Sequence, residues 1–319
     1  MPYLVGTDEA GYGPNLGPLV ITATVWQVDC TPWDCDLYGL LAPAVSAEPA
    51  KGGCETITLA DSKSLYSPQI GLAALEQNLI AVLRWAGLPT TCARTLFQHL
   101  APDAWEDLIA EPWETEIDLE LPVAGDPDWI GPRCKQLKQT AEAACVELKT
   151  VRSRVVVPNR FNQLVERAGN KATALSEQTL ELVAELIEPL EGPVLILCDK
   201  HGGRNFYAGL LQQLVCQTLL QVREESRARS VYTWGSKQAR REIRFQSAGE
   251  RFLPTALASM VSKYLRELAM SAFNRFWCAR VPELRPTAGY PGDARRFKTQ
   301  IAEVQAALGI ADEFLWRAR

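Results

Sequence analysis

Val5-Gly6-Thr7-Asp8-Glu9-Ala10-Gly11-Tyr12-Gly13-Pro14-Asn15-Leu16-Gly17-Pro18 is the stretch on which the reading of this chain turns. The apolar run from Tyr3 to Val5 reads as a strand that delivers two adjacent carboxylates, Asp8 and Glu9, to its end. Gly11, Gly13 and Gly17 then leave no side chain in the way of an approaching group. Carboxylates bind hard cations, and glycine amides can face phosphate oxygens. The combination suits a divalent cation that holds a phosphate against the turn.

Three other readings fit the same residues. An ordinary tight turn is rich in Gly, Pro, Asn and Asp. A dinucleotide-binding turn also follows a strand, but here the spacing is Gly11-x-Gly13-x-x-x-Gly17. Pro14 and Pro18 stand where a phosphate-binding helix would begin, and two acids repel a pyrophosphate. The actin and sugar-kinase type of ATPase carries an Asp and glycines after its first strand as well.

Composition bounds the class. With 319 residues, 47% hydrophobic and 22% charged, the chain is globular and long enough for one large domain or two modest ones. No run of about eighteen apolar residues exists and no basic-then-apolar leader precedes the first strand, so a soluble, cytoplasmic protein without a membrane span is expected. Nine cysteines are scattered without a C-x-x-C pair, and there are only two histidines. That pattern argues against a zinc site and for reduced thiols. The net charge of −5 conceals a strong polarity. Residues 1–199 hold 13 Lys and Arg against 28 Asp and Glu, a net −15, whereas residues 200–319 hold 20 against 10, a net +10. A chain polarised in this way either binds phosphates on one face or has surface charges that merely fall unevenly.

Outward from the opening stretch, Leu19 to Val28 alternates as a strand and pairs with Tyr3 to Asp8 as a hairpin. Residues 29–58 read as an inserted loop. Asp61-Ser62-Lys63-Ser64-Leu65 follows, then a helix to about Gly87 with Ser67 as cap and Pro68 at its first position. Residues 89–150 are rich in Pro, Trp and acid and read as an inserted subdomain within a single domain of residues 1–319; Trp105, Trp113 and Trp129 suit a protein partner. A helix is predicted over 131–149, a strand at 155–157, and helices over 158–168 and 176–190. Pro193 to Cys198 is a buried strand ending on Asp199, again before a glycine turn, Lys200-His201-Gly202-Gly203-Arg204. Helices over 205–225, 251–278 and 291–308 and a strand over 240–247 complete the pattern. Lys263 and Glu267 share a helix face, either as a surface ion pair or as a further carboxylate aimed at the acids. His201 is either a proton shuttle or a plain loop residue.

Taken together, these stretches resemble type 2 ribonuclease H, the ribonuclease HII and HIII family. Its Gly-x-Asp-Glu-Ala-Gly-x-Gly-Pro opening is similar to Gly6–Pro14, and its Asp-Ser-Lys-Lys-Leu loop to Asp61–Leu65. The strand ending in its third acid resembles Val194–Asp199. Its Ala-Ser-Ile-x-Ala-Lys-Val-x-Arg-Asp helix resembles Ala258–Glu267, and its Lys-Gly-Tyr-Gly turn resembles Ala288–Pro291. The resemblance implies an α/β, ribonuclease H-like fold, a mixed central sheet flanked by helices. It implies an endoribonuclease that cuts the RNA strand of RNA/DNA hybrids and leaves a 5′-phosphate and a 3′-hydroxyl. Asp8, Glu9, Asp199 and Glu267 would be the catalytic acids and the ligands of two Mg²⁺ or Mn²⁺ ions. Gly11, Tyr12 and Gly13 would sense the 2′-hydroxyl, Tyr290 would stack on a sugar, and Lys63, Arg204 and Lys263 would lie near phosphates. Arg240, Arg241, Arg295, Arg296 and Lys298 are assigned to the duplex backbone from charge alone. Tyr12 stands where the family has Arg or Lys, and Glu267 matches the HIII form of the fourth acid. A catalytically weakened nucleic-acid-binding protein of the same fold is the alternative.

Overall fold

The computed structural model describes residues 1–48, 56–67, 69–247 and 249–317. The expected hairpin forms at the start: β1 (Tyr3–Ala10) pairs antiparallel with β2 (Leu19–Gln27), Asp8 opposite Thr22. Next come α1 (Leu37–Leu41), the short strands β3 (Val45–Ser46) and β4 (Ile57–Thr58), α2 (Ser62–Leu65), α3 (Ala73–Trp85), α4 (Ala93–Leu100), α5 (Trp105–Ile109) and α6 (Pro127–Ala143). The chain then returns to the main sheet as β5 (Glu147–Val156), followed by α7 (Pro158–Ala168), α8 (Lys171–Ile187), β6 (Val194–Asp199) and α9 (Ala208–Leu214). The last elements are β7 (Gln221–Glu225), β8 (Arg229–Trp234), β9 (Arg241–Gln246), α10 (Leu253–Cys278) and α11 (Pro291–Ala307).

Seven strands make one mixed sheet in the order β5-β2-β1-β6-β9-β8-β7. β6 runs parallel to both β1 and β9, and the other pairs are antiparallel. The expected mixed sheet flanked by helices is therefore present. Alternation sorts the strands' side chains to two faces. Leu4, Leu195 and Leu197 join the cluster built on α10, while Val5, Ile196 and Cys198 pack with Leu180 and Val183 of α8. The α10 helix lies hard against β1: a Cβ on Gly6 would fall 2.2 Å from the Pro254 carbonyl carbon, so only glycine lets the two backbones approach. Thr255 Oγ1 adds a hydrogen bond to the Leu197 carbonyl at 3.3 Å.

Residues 89–150 do not keep a core of their own. Leu96, Phe97, Leu100, Ile130 and Leu137 belong to the cluster that holds Leu4 and Leu257. Trp113 is buried there, edge-on to Phe273 at 4.8 Å. Glu76 of α3 fastens the segment. Its buried carboxylate accepts the N–H groups of Val123, Ala124 and Gly125 at 2.7, 2.5 and 2.6 Å and the Tyr264 hydroxyl at 2.5 Å. Within 29–58 the short α1, β3 and β4 form, and residues 49–55 lie outside the described residues, as does the Pro68 expected to open the helix before Gly87.

Two expected helices are replaced in part by strands. The segment 205–225 is helical only over α9 and then becomes β7, paired with β8; the helix expected over 131–149 starts earlier and gives way to β5 after Cys145, at φ +52°. In both cases a strand ladder overrides local helix preference, for β7 with the neighbouring β8 and for β5 with the distant β2. The helix expected over 176–190 starts at Lys171, where Asn170 accepts the Thr173 N–H. Among the described residues, no helix is long and apolar enough to cross a membrane.

Candidate active site

The register of β1 and β6 decides where the acids lie. Thr7 pairs with Cys198, so the next residue on each strand is an acid, and Asp8, two residues before the end of β1, and Asp199, the last residue of β6, lie on neighbouring parallel strands about 4.8 Å apart. Alternation puts both on the α10 face, and Glu9 on the other, with Thr7 and Cys198. Burial pushes the Cys198 thiol up to about 12, and Asp199 and Glu9 add to that. Beneath Asp8, whose side chain is nearly buried, Ser262 donates to its carbonyl at 3.0 Å and continues through Thr22 to Ser153 in steps of 2.8 Å.

Asp199 meets the turn that precedes α10. The Gly249 N–H reaches its Oδ1 at 3.5 Å. Burial raises its carboxyl above the ordinary range, while the N–H groups of Lys200 and Gly249 and the ammonium of Lys63 oppose that rise. Lys63, expected near phosphates, is thus within electrostatic reach of Asp199. Its neighbour Asp61 caps α2 and lies 3.8 Å from its Nζ, and Ser62 is hydrogen-bonded to Ser259 of α10 at 3.2 Å. The single turn Gly249–Arg251 also carries Glu250, an acid that the sequence pattern did not single out.

Glu267 has other engagements. Its carboxylate accepts the Tyr66 hydroxyl at 2.7 Å and the Lys263 ammonium at 2.6 Å, with the Arg266 guanidinium at 3.7 Å. Lys263 also stands over the Tyr66 ring at 4.2 Å. Glu267 and Lys263 therefore form an ion pair closed by a tyrosine. Among the described residues, no three His, Cys, Asp or Glu side chains converge closely enough to hold a metal ion. Asp8 and Asp199 offer oxygen donors, the kind that hard cations take, from neighbouring strands. Glu267, the fourth acid of the expected set, is held by Lys263 and Tyr66.

The glycine turn beside the acids is stiffened from beneath by two buried arginines. Gly11 has φ +89°, and a Cβ on it would lie 2.6 Å from Arg266 Nε. Arg266 donates to the carbonyls of Leu16 and Ala288, and Arg317 to those of Gly11, Tyr12 and Gly17 at 2.5, 3.3 and 3.4 Å. Arg317 is stacked on Phe161 at 4.1 Å, and burial lowers its guanidinium to about 9. The Gly289 carbonyl receives the N–H groups of Asn15 and Leu16, so the 288–290 turn and the glycine turn form one unit. Tyr290 projects from it, 57% exposed, its ring edge 3.9 Å from where a Cβ on Gly13 would stand. Sequence reasoning missed Arg266 and Arg317, whose partners are carbonyls and leave no trace in residue type.

Around the second loop, His201 is buried, with Nδ1 3.0 Å from Ser176 Oγ, and burial holds it neutral with a pKa of about 3. It is a core residue and no proton shuttle. Arg204 donates to Thr173 Oγ1 at 2.8 Å, near Tyr12. Phe206, which the sequence gave no reason to select, is 69% exposed between two pinned neighbours: Asn205 is bound by Lys200 and Ser230, and Tyr207 by Tyr232. The basic residues assigned from charge fare differently. Arg241 pairs with Val194 at the far end of β6, roughly 17 Å along the strand from Asp199. It donates to the Leu190 and Gly192 carbonyls, and Arg240 stacks on Trp33. Both are structural. Arg296 is tied to Asp293 and Lys298 to Asp312, leaving Arg295 exposed.

No family model and no curated protein matches the chain. The solved structures it is similar to are ribonucleases HII and HIII. Ribonuclease H2 from Pyrococcus horikoshii OT3 is 14% identical with a TM-score of 0.42, over 98% of this chain and 92% of that one. Ribonuclease HII from Archaeoglobus fulgidus, solved in a complex with PCNA, is 13% identical with a TM-score of 0.40, over 99% and 96%. Bst-RNase HIII, solved in complex with Mn²⁺, is 14% identical with a TM-score of 0.40, over 99% of this chain and 66% of that one.

Proposed function

We propose that the chain is a cytoplasmic, metal-dependent endoribonuclease that hydrolyses the RNA strand of RNA/DNA hybrids to a 5′-phosphate and a 3′-hydroxyl. One observation carries the reading: Asp8 and Asp199 lie side by side on adjacent parallel strands and on one face, beside a backbone-bare turn against which Tyr290 stands. Asp8 and Asp199 would hold Mg²⁺ or Mn²⁺, which would supply an activated water and neutralise phosphate charge. Gly11 and Gly13 let a ribose come close enough for its 2′-hydroxyl to meet the main chain, and the exposed Tyr290 ring packs on the neighbouring sugar. Lys63, within electrostatic reach of Asp199, would meet a phosphate.

The test is cleavage of three labelled duplexes by wild type and Asp199→Asn, in Mg²⁺ and in Mn²⁺: a long hybrid, a duplex with one ribonucleotide, and plain DNA. Cutting confined to RNA-containing duplexes and lost in the variant is the expected result. Cutting of plain DNA at the same rate, or equal activity in Asp199→Asn, refutes the reading. A second reading, a nucleic-acid-binding protein with weakened turnover, draws on the engagement of Glu267 by Lys263 and Tyr66. Tight hybrid binding without cleavage in either metal is its signature.

A further inference from the structure

Lys171 and Arg204 bring two positive charges to one corner beside the acids. Lys171 is the first residue of α8, where a cation opposes the helix dipole. Its Nζ stands 4.7 Å from the centre of the Tyr12 ring, in the turn after Glu9. Arg204, from the loop after Asp199, reaches the same helix end through Thr173 Oγ1, and its Nε is buried without a hydrogen-bond partner. Among the described residues neither cation forms an ion pair with an acid. Glu9 is the acid that shares this corner, acting on the Tyr12 hydroxyl together with Arg204. The approach is open: a Cβ on Gly203 would meet nothing within 4 Å, and one on Gly202 only the Tyr12 hydroxyl at 3.9 Å. Two like charges gathered where the helix field disfavours them form a site for an anion.

We propose that Lys171 and Arg204, beside the Tyr12 ring, bind a backbone phosphate of the nucleic acid adjacent to the one at Asp8 and Asp199. This rests on the nuclease reading for the identity of the ligand. Tyr12 then acts as the platform for a cation supplied by α8. The contact is to a phosphate, so it is blind to sequence and weakens as salt rises.

Anisotropy of a labelled RNA/DNA hybrid, in EDTA across a salt series, tests it with wild type, Lys171→Ala, Lys171→Arg and the remote control Lys138→Ala. Lys171→Ala is expected to bind roughly eightfold more weakly at about 0.1 M salt, with its salt slope smaller by about 0.9, the signature of one lost phosphate contact. Lys171→Arg restores both and Lys138→Ala changes neither. Unchanged affinity and slope in Lys171→Ala overturn the proposal. If wild type binds no hybrid, the nuclease reading falls, and calorimetry with inorganic pyrophosphate decides the corner alone. Heat that is lost in Lys171→Ala upholds it; no heat in wild type, or equal heat in both, overturns it.

Discussion

The two loops that follow the acids are built by opposite means. The turn after β1 is held by Arg266 and Arg317, guanidiniums from the far end of the sequence that draw its carbonyls inward. The loop after β6 is held from nearby, by Lys200 on Asn205 and Ser226, Ser176 on His201, and Tyr232 on Tyr207. Both look alike as sequence, an acid running into glycines. Glycine tells where the backbone is bare, and says nothing of what keeps a bare backbone in place. The first turn depends on the whole chain, the second on its own neighbourhood.

The sharpest way to probe that contrast is to remove each loop's acid. Asp8→Asn and Asp199→Asn are each expected to lower hybrid cleavage by about a thousandfold or more, measured in single-turnover assays with Mg²⁺. A further acid sharpens the assignment. Glu267 is engaged by Lys263 and Tyr66, so Glu267→Gln should lower cleavage far less than Asp199→Asn. Equal losses would return Glu267 to the reacting centre. Next come the supports. Arg317→Met leaves three turn carbonyls without their donor and should cost roughly 3 kcal/mol in urea unfolding, against about 1 kcal/mol for the half-buried Lys200→Ala. Similar costs for the two would erase the distinction between the loops.

The smallest effect comes from outside both loops and calibrates Asp199. Glu111 is buried, and one of its carboxylate oxygens lacks a hydrogen bond. Burial raises its carboxyl well above the ordinary range. The unfolded chain releases this proton near pH 4.5, the folded chain only at higher pH. Stability linked to this group is therefore full below about pH 4.5 and declines as pH rises through the folded value. Glu111→Gln removes that dependence and should stabilise the protein at pH 7 by about 1 kcal/mol, with no gain at pH 4, read from unfolding at both pH values.

Much of this was legible in the sequence because it was written in local terms. The alternation of Leu19–Gln27, the apolar run of β6 and the 26-residue span of α10 each follow one periodicity, and the strands and helix appear where those periods run. Two strands that carry acids before glycine turns can lie side by side, which would gather Asp8, Glu9 and Asp199 at one edge; β1 and β6 are neighbours, but alternation turns Glu9 to the opposite face. The hairpin β7–β8 was not, because Val222 and its neighbours become a strand only by pairing with Tyr232 and Thr233. Charge was the poorest guide. Arg241 and Arg317 are as basic as Arg295, yet the first two serve carbonyls inside the protein. A count of cations cannot tell an internal donor from a surface one.

The bond from Arg317 to Gly11 spans 306 positions. During synthesis the β1–β2 hairpin emerges before Arg317 and lacks its brace until nearly three hundred further residues have followed. Contacts this distant in sequence close late, after the loop between them has been ordered. The turn beside the acids is thus among the last parts to set, and a partly made chain carries Asp8 and Asp199 without the brace beneath that turn.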